Sequence, residues 1–571
     1  MTEPTTLSTL EEAPSTAPTE RVSPPTPPPG APRMSRWRWL VALIVVALVT
    51  AGTVAGTVLL TGAGGPSTAA RWAPSDAVVY AELRADLPGD QRAALGELLS
   101  AFPGFADQAN LQTKLDDLYG RLLAAATSGK QSWASDVKPW FGGQLGVAAG
   151  PIPTSATAAP PHVLAIATST DPAAALAWVR SSASDAGTTL RTATEAGTTV
   201  LLAGTGDRVV AAAAPTGVLL VGDEASVRSA IDRGGTDGLA TSARFKSAIA
   251  SQPSDHLSLV YVDSGAVMDA LASAADKLPA NGPSFDAIRS LVPDWYAGTL
   301  RAESDALVAQ GAAPKPSAAP TIADAASRLP SHLPANTIAL AETHAVGDSV
   351  AAISKLDAAG VAADRLEAAL KPVGGLDGLL GWVDEAGVAV LPGTTQPLAG
   401  VVATASDATA AQNLSRSLRN LATLGGLTPT DETHGGATIT TLDVGSLLNG
   451  AGSMAGGRSV SWTVSDGLVV VSTDKAFVEA VLDTSAGGSL ADQAAFRSAV
   501  DRAGSSHRAL VWADLDAVEA LVVTRMDATE RARFEHDVQP YLAPFDAVVG
   551  VAMSDGSLVR SRGLVVLGSG R

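Results

Sequence analysis

The chain has 571 residues, 46% of them hydrophobic, 17% charged and only 4% aromatic. That length exceeds one ordinary domain and supplies enough apolar side chains for several cores, built on Ala, Val and Leu rather than on rings. A net charge of −18 argues against nucleic acid, whose phosphates need clustered Lys and Arg, and the lack of any cysteine excludes disulfides, thiolate metal sites and a cysteine nucleophile.

Residues 1–36 are rich in Pro, Thr, Ser and Glu and predict a disordered tail. Next comes "WRWLVALIVVALVTAGTVAGTVLLTGAGG", uncharged from Trp39 to Ala70. Its strongly apolar part, Trp39 to Gly62, would make a helix of about 36 Å, against a hydrocarbon core of about 30 Å. This predicts a transmembrane helix over 37–63. Arg33, Arg36 and Arg38 precede it, so the expected orientation is N-terminus cytoplasmic and later domains extracytoplasmic, across a plasma membrane. The apolar run of a cleaved signal peptide is shorter, about 7–15 residues, which favours an uncleaved anchor.

Beyond residue 66 the chain reads as two copies of one unit. "APSDAVVYAEL" (Ala73–Leu83) resembles "LPANTIALAET" (Leu333–Thr343), and "GVLLVGDEASVRSAID" (Gly217–Asp232) resembles "GLVVVSTDKAFVEAVLD" (Gly467–Asp483). In "FKSAIASQPSDHLSLVYVD" and "FRSAVDRAGSSHRALVWAD", His256 matches His507 and Asp263 matches Asp514; Trp140 matches Trp382 elsewhere. The expected domains are 66–312 and 331–571, joined by an Ala/Pro linker over 313–330. Short strands such as "VVYAEL", "HVLAIAT" and "GVLLVG" follow one another at hairpin spacing, with helices between some of them. Asp223, and Thr473 or Asp474, are expected helix caps, with Val227 and Ile231, or Val478 and Leu482, packing back onto a sheet. The fold class is α+β: a disordered tail, one transmembrane helix, then two duplicated domains of mainly antiparallel sheet covered by helices.

A search for chemistry finds little. The seven histidines, His162, His256, His332, His344, His434, His507 and His536, lack helical or finger spacing, so no metal or cofactor site is expected. His256 and His507 each precede a strand; inheritance by duplication accounts for them more simply than a paired function. Asp263 and Asp514 each end a strand before a helix and read as caps before catalytic acids. "SDVK" (Ser135–Lys138) and "STDK" (Ser472–Lys475) match Ser-x-x-Lys, but the Ser-Asp-Asn and Lys-Thr-Gly partners are missing. No Gly-x-Ser-x-Gly elbow and no Walker lysine occur.

The ordered set "APSDAVVYAEL", "SDVKPWFGGQLGVA" and "FKSAIASQPSDHLSLVYVD", behind one apolar span, resembles a bacterial, largely actinobacterial, family known as domain of unknown function 3352. "DVKPWFGG" is its most specific part; the second copy, "GLLGWVDEAG", lacks the Pro-Trp pair. The resemblance implies a membrane-anchored, exported architecture and brings no catalytic residue. The expected function is a non-enzymatic binding or scaffolding protein of the cell envelope, its partner an envelope protein or cell-wall component. The alternatives are a lipid carrier and an unrecognised hydrolase.

Overall fold

A computed structural model describes residues 67–568, except 106–110, 128, 153–161, 206–208, 276–284, 355–369, 372–373, 395, 446–458 and 485–487. The first half contributes β1 (Val79–Arg84), β2 (Phe141–Ala149), β3 (Val163–Ser169), β4 (Leu190–Glu195) and β5 (Thr198–Ala203). It continues with β6 (Val210–Ala213), β7 (Val218–Asp223), β8 (Ser258–Val262), β9 (Tyr296–Glu303) and β10 (Ala306–Pro314). The second half contributes β11 (Ala339–His344), β12 (Val383–Leu391), β13 (Leu398–Ala405), β14 (Thr430–His434) and β15 (Ala437–Asp443). It ends with β16 (Ser459–Ser465), β17 (Leu468–Ser472), β18 (Ala509–Asp514), β19 (Phe545–Asp555) and β20 (Leu558–Leu567).

Hydrogen bonding links the first ten strands in the order β4-β5-β6-β7-β3-β2-β1-β8-β9-β10, every pair antiparallel. The second ten run β14-β15-β16-β17-β13-β12-β11-β18-β19-β20, again all antiparallel. The two orders are the same, strand for strand. They meet edge to edge, because β10 pairs with β20 from Ala306↔Val566 to Pro314↔Leu558. One sheet of 20 strands results, and the two innermost edges protect each other from outside pairing.

Each half repeats a strand–cap–helix unit. After β7, Asp223 accepts from the Ser226 amide and starts the helix Glu224–Arg233, which buries Val227, Ala230 and Ile231. After β17, Asp474 accepts from the Ala476 amide and starts Lys475–Leu482, which buries Phe477, Val478 and Val481. Trp140 and Trp382 are both buried, and their carbonyls accept from the Thr170 and Ser406 amides at 2.8 Å each.

The halves share packing as well as hydrogen bonds. Ala306 and Val308 of β10 enter the second half's core beside Leu564 and Val549. The helices Gln91–Ser100 and Leu111–Thr127 pack Leu95, Leu99 and Leu115 with Leu307 and Leu567. The segment 313–330, read from composition as a linker, begins inside β10 and returns to bridge Ala325 with His507, amide to carbonyl at 2.9 Å in both directions.

The expected fold class needs correction in one respect. Among the described residues no helix is long and apolar enough to cross a membrane. The longest, Leu111–Thr127 and Ala408–Leu424, have 17 residues each, about 25 Å of helix, and both carry charges. The span expected over 37–63 and the tail over 1–36 lie outside the described residues, so the single-pass, signal-anchored organisation is set aside. What stands is a mostly antiparallel sheet with helices.

Candidate functional site

Among the described residues, a concentrated polar cluster lies under the strand that opens each half. In β1 and β11, residues two apart share a face. On β11 these are Glu342 and His344, at 5% and 7% exposure. His344 sits opposite Glu385 of β12 in the ladder, and β18 follows directly on His507 and Arg508. His507 is wholly buried. Three adjacent strands therefore deliver two carboxylates and two imidazoles to one buried place.

The geometry is close. Glu342 Oε1 lies 3.6 Å from His507 Nε2, and Glu385 Oε1 lies 3.5 Å from His344 Nε2. The His344 and His507 ring centroids are 5.5 Å apart. One ligand atom from each of Glu342, His344 and His507 falls within 4.8 Å of the others. Ser327 donates to Glu342 Oε1 and lies 2.7 Å from His507 Nε2. His507 Nδ1 faces the Gly504 carbonyl at 2.8 Å; a carbonyl only accepts, so Nδ1 carries a proton and Nε2 points inward. Glu385 accepts from the Arg328 amide at 3.0 and 3.2 Å and from the Leu329 amide at 3.4 Å.

Burial drives the electrostatics. It pushes the Glu342 carboxyl above the usual carboxylate range, and His507 and Ser327 only partly counter it. Burial acts the same way on Glu385, but His344 and the Arg328 amide outweigh it and hold that carboxyl low. For His507 burial disfavours the charged ring, yet Glu342 and the Gly504 carbonyl overcome this and raise it.

The first half builds the same frame with other chemistry. Ser67 donates to Glu82, the Thr68 amide donates to Gln144 Oε1 at 2.8 Å, and His256 Nδ1 faces the Pro253 carbonyl at 2.8 Å. At the place of His344 stands Arg84, 2% exposed, clamping Asp86 with two bonds of 2.8 and 2.9 Å. At the place of Glu385 stands the neutral Gln144.

His256 and His507 thus occupy matching positions, but only His507 joins a carboxylate–imidazole cluster. Asp263 and Asp514 cap helices, accepting from the Ala266 and Ala517 amides at 2.8 Å each. His162, His434 and His536 pair with Asp223, Asp483 and Asp537 nearer the surface. Helical and finger spacings do not bring Glu342, His344 and His507 together; the local signal is Glu-x-His in "AETHA", an alternation that places both side chains on one face of a strand.

A second feature is open rather than buried. Ala341 pairs with Val388 and Val511, and Val388 pairs with Val401, so these four form one row across β18, β11, β12 and β13. Val511, Val388 and Val401 are 53%, 51% and 45% exposed. The row continues through Gly550 and Gly563, which carry no side chain. A Cβ placed on Gly550 would meet nothing within 4 Å. In the first half Val260, 46% exposed, pairs with Gly298, which pairs with Gly311. A glycine-floored strip with valine flanks therefore crosses the middle of the sheet.

Two crystal forms of TP0453, IV and III, are similar over 44% of this chain and 80% of theirs, at 12% identity and TM-scores of 0.22 and 0.23. Comparison with curated proteins finds no match. The model of the family described as "Protein of unknown function (DUF3352)" matches residues 39–554, from before β1 to the end of β19, and the chain belongs to that family.

Proposed function

We propose that the chain is a non-enzymatic binding protein that takes an apolar partner on the open face of its central sheet. The observation that carries this reading is the exposed row Val511–Ala341–Val388–Val401 beside the side-chain-free floor at Gly550 and Gly563. Contiguous exposed apolar surface of this kind marks interaction sites.

The polar cluster supports the non-enzymatic part. A hydrolytic relay needs the acid on the imidazole Nδ1 and the serine on Nε2. Here Ser327 does lie on His507 Nε2 at 2.7 Å, but a carbonyl holds Nδ1 and the acid Glu342 contacts the serine instead of the ring's far side. His507 is fully buried, and Glu342 and Glu385 nearly so, which leaves no room for a substrate at the imidazole.

The test uses 1-anilinonaphthalene-8-sulfonate and the folded full chain. Saturable fluorescence is expected, weakened at least about tenfold by Val388→Asp with Val511→Asp and by Gly550→Phe, each checked for native circular dichroism. No saturable binding by the parent, or equal binding by all variants, overturns the reading.

A further inference from the structure

We propose that Glu342, His344 and His507, closed by Glu385, form a divalent metal site of the type that takes Zn2+. This site is independent of the apolar face.

Four observations converge on it. The first is ligand chemistry: two imidazoles with one or two carboxylates are a common zinc donor set. The second is spacing. Ligand atoms at about 2.0–2.1 Å from a tetrahedral metal lie about 3.3–3.4 Å apart. Ligand atoms of Glu342, His344 and His507 already lie within 4.8 Å of one another, the His507 Nε2–Glu342 Oε1 pair stands at 3.6 Å, and Glu385 Oε1 stands 3.5 Å from His344 Nε2, so the three side chains need to close by about an ångström at most.

The third is satisfaction of polar atoms. Glu342 Oε2 and His344 Nε2 are buried without a hydrogen-bond partner, although their residues are more than nine-tenths buried. Two buried polar atoms left unmet in one cluster cost several times the thermal energy unless something binds there. Outer contacts are in place as well: Gly504 fixes the His507 ring, and the Arg328 and Leu329 amides fix Glu385.

The fourth is the comparison inside the molecule. On the same frame, the first half sets the guanidinium of Arg84 beside Glu82 and a neutral Gln144. The second half replaces the guanidinium with an imidazole and the amide with a carboxylate. It has gained a buried carboxylate, Glu385, which Arg328 meets at 3.5 Å, and it has no guanidinium buried between the strands. A divalent ion bound between Glu342 and Glu385 would stand where the first half has the Arg84 guanidinium. Ser327 contacts Glu342 and His507, and Arg328, its side chain 58% exposed, contacts Glu385, so this segment connects the cluster to the surface.

The experiment is zinc titration of the chelator-treated full chain by calorimetry, with melting temperature followed in parallel. One equivalent is expected to bind and to raise the melting temperature. His344→Arg installs the first half's own residue; it should stay folded without metal and bind at least about 100-fold more weakly. The near-isosteric Glu342→Gln should do likewise, which keeps the test decisive if His344→Arg misfolds. His256→Ala, in the first half, should leave uptake unchanged. A folded parent that takes up no zinc, or parent-like uptake by both His344→Arg and Glu342→Gln, overturns the assignment and leaves a proton-sharing cluster.

Discussion

Arg84 and His344 occupy the same place in two copies of one strand. Each lies two residues past a buried glutamate, Glu82 or Glu342, and each faces a β-neighbour that accepts an amide, Gln144 or Glu385. The backbone frame is the same while the charge is inverted. One half carries a guanidinium between its strands, and the other carries an imidazole there.

Arg84 should therefore be hard to remove. It is 2% exposed and clamps Asp86, with Glu82 Oε1 at 4.0 Å. Arg84→Met takes the guanidinium from the buried Glu82 and both of its bonds from Asp86, which is partly buried and keeps Gln144 Nε2 as a donor at 2.8 Å, and breaking a buried pair on one side costs up to about 3–5 kcal/mol. Urea denaturation should show a loss in that range. A loss below about 1 kcal/mol would mean that Glu82 does not depend on the guanidinium.

The junction between halves is also ionic. Arg502 reaches back from the second half to Glu303 at 2.8 Å and to both oxygens of Asp305 at 2.8 and 2.9 Å. These groups are partly exposed, so solvent screens them. Arg502→Ala is expected to cost about 1 kcal/mol, the upper end of the range for solvent-screened ion pairs. A double-mutant cycle with Asp305→Ala should show coupling; additivity would assign the loss to packing.

Much of each half was legible because it obeys local rules. Asp223 followed by Val227 and Ile231 announces a cap and a helical stripe, and the structure has both. What was not legible depends on distance along the chain. Pro314 reads as linker, yet it closes the ladder with Leu558, and no local pattern announces a partner so remote. Glu385 looked like one more strand polar residue; its place beside His344 follows only from the register of β11 with β12. The apolar run over 37–63, from which a span was expected, lies outside the described residues, and among those no helix is long and apolar enough to cross a membrane.

Asp223 gives the acid side of the stability curve a testable component. Burial raises its carboxyl, but the Ser226 hydroxyl and amide, His162 and the Val163 amide outweigh burial and hold it below the ordinary value. A carboxyl depressed in the folded state stabilises above its unfolded value, about 3.9, and that stabilisation is lost as pH falls through the folded value. Asp223→Asn should be less stable than the parent at pH 7, and the gap should narrow towards pH 2. A gap constant from pH 7 to 2 contradicts a role for the charge.

The two repeat-equivalent aspartates make a matched pair. Asp263 and Asp514 each accept from the amide three residues on. Loss of a cap costs about 0.5–2 kcal/mol, so Asp514→Ala should fall in that range and Asp514→Asn should recover most of it. Asp263 also bonds Arg244 at 2.9 Å. Asn at 263 should accordingly recover less than Asn at 514. Equal recovery at both sites would show that the exposed Arg244 pair contributes nothing.

Glycine substitutions distinguish the two faces of the sheet. A Cβ at Gly400 would sit 2.3–2.8 Å from three atoms of the Phe477 ring, a side chain that is wholly buried. The ring has no free volume to enter, so Gly400→Ala forces an overpacked core and should cost about 1–3 kcal/mol. Gly550 faces the other way, with nothing within 4 Å of its Cβ position. Gly550→Ala adds a methyl without a clash and reduces the freedom of the unfolded chain, a gain of about 0.4–1 kcal/mol. Thermal melts of the two variants should therefore move in opposite directions from the parent. Were Gly550→Ala to destabilise as Gly400→Ala does, something would already cover the centre of the open face. The valine row would then be part of a core rather than a surface waiting for a partner.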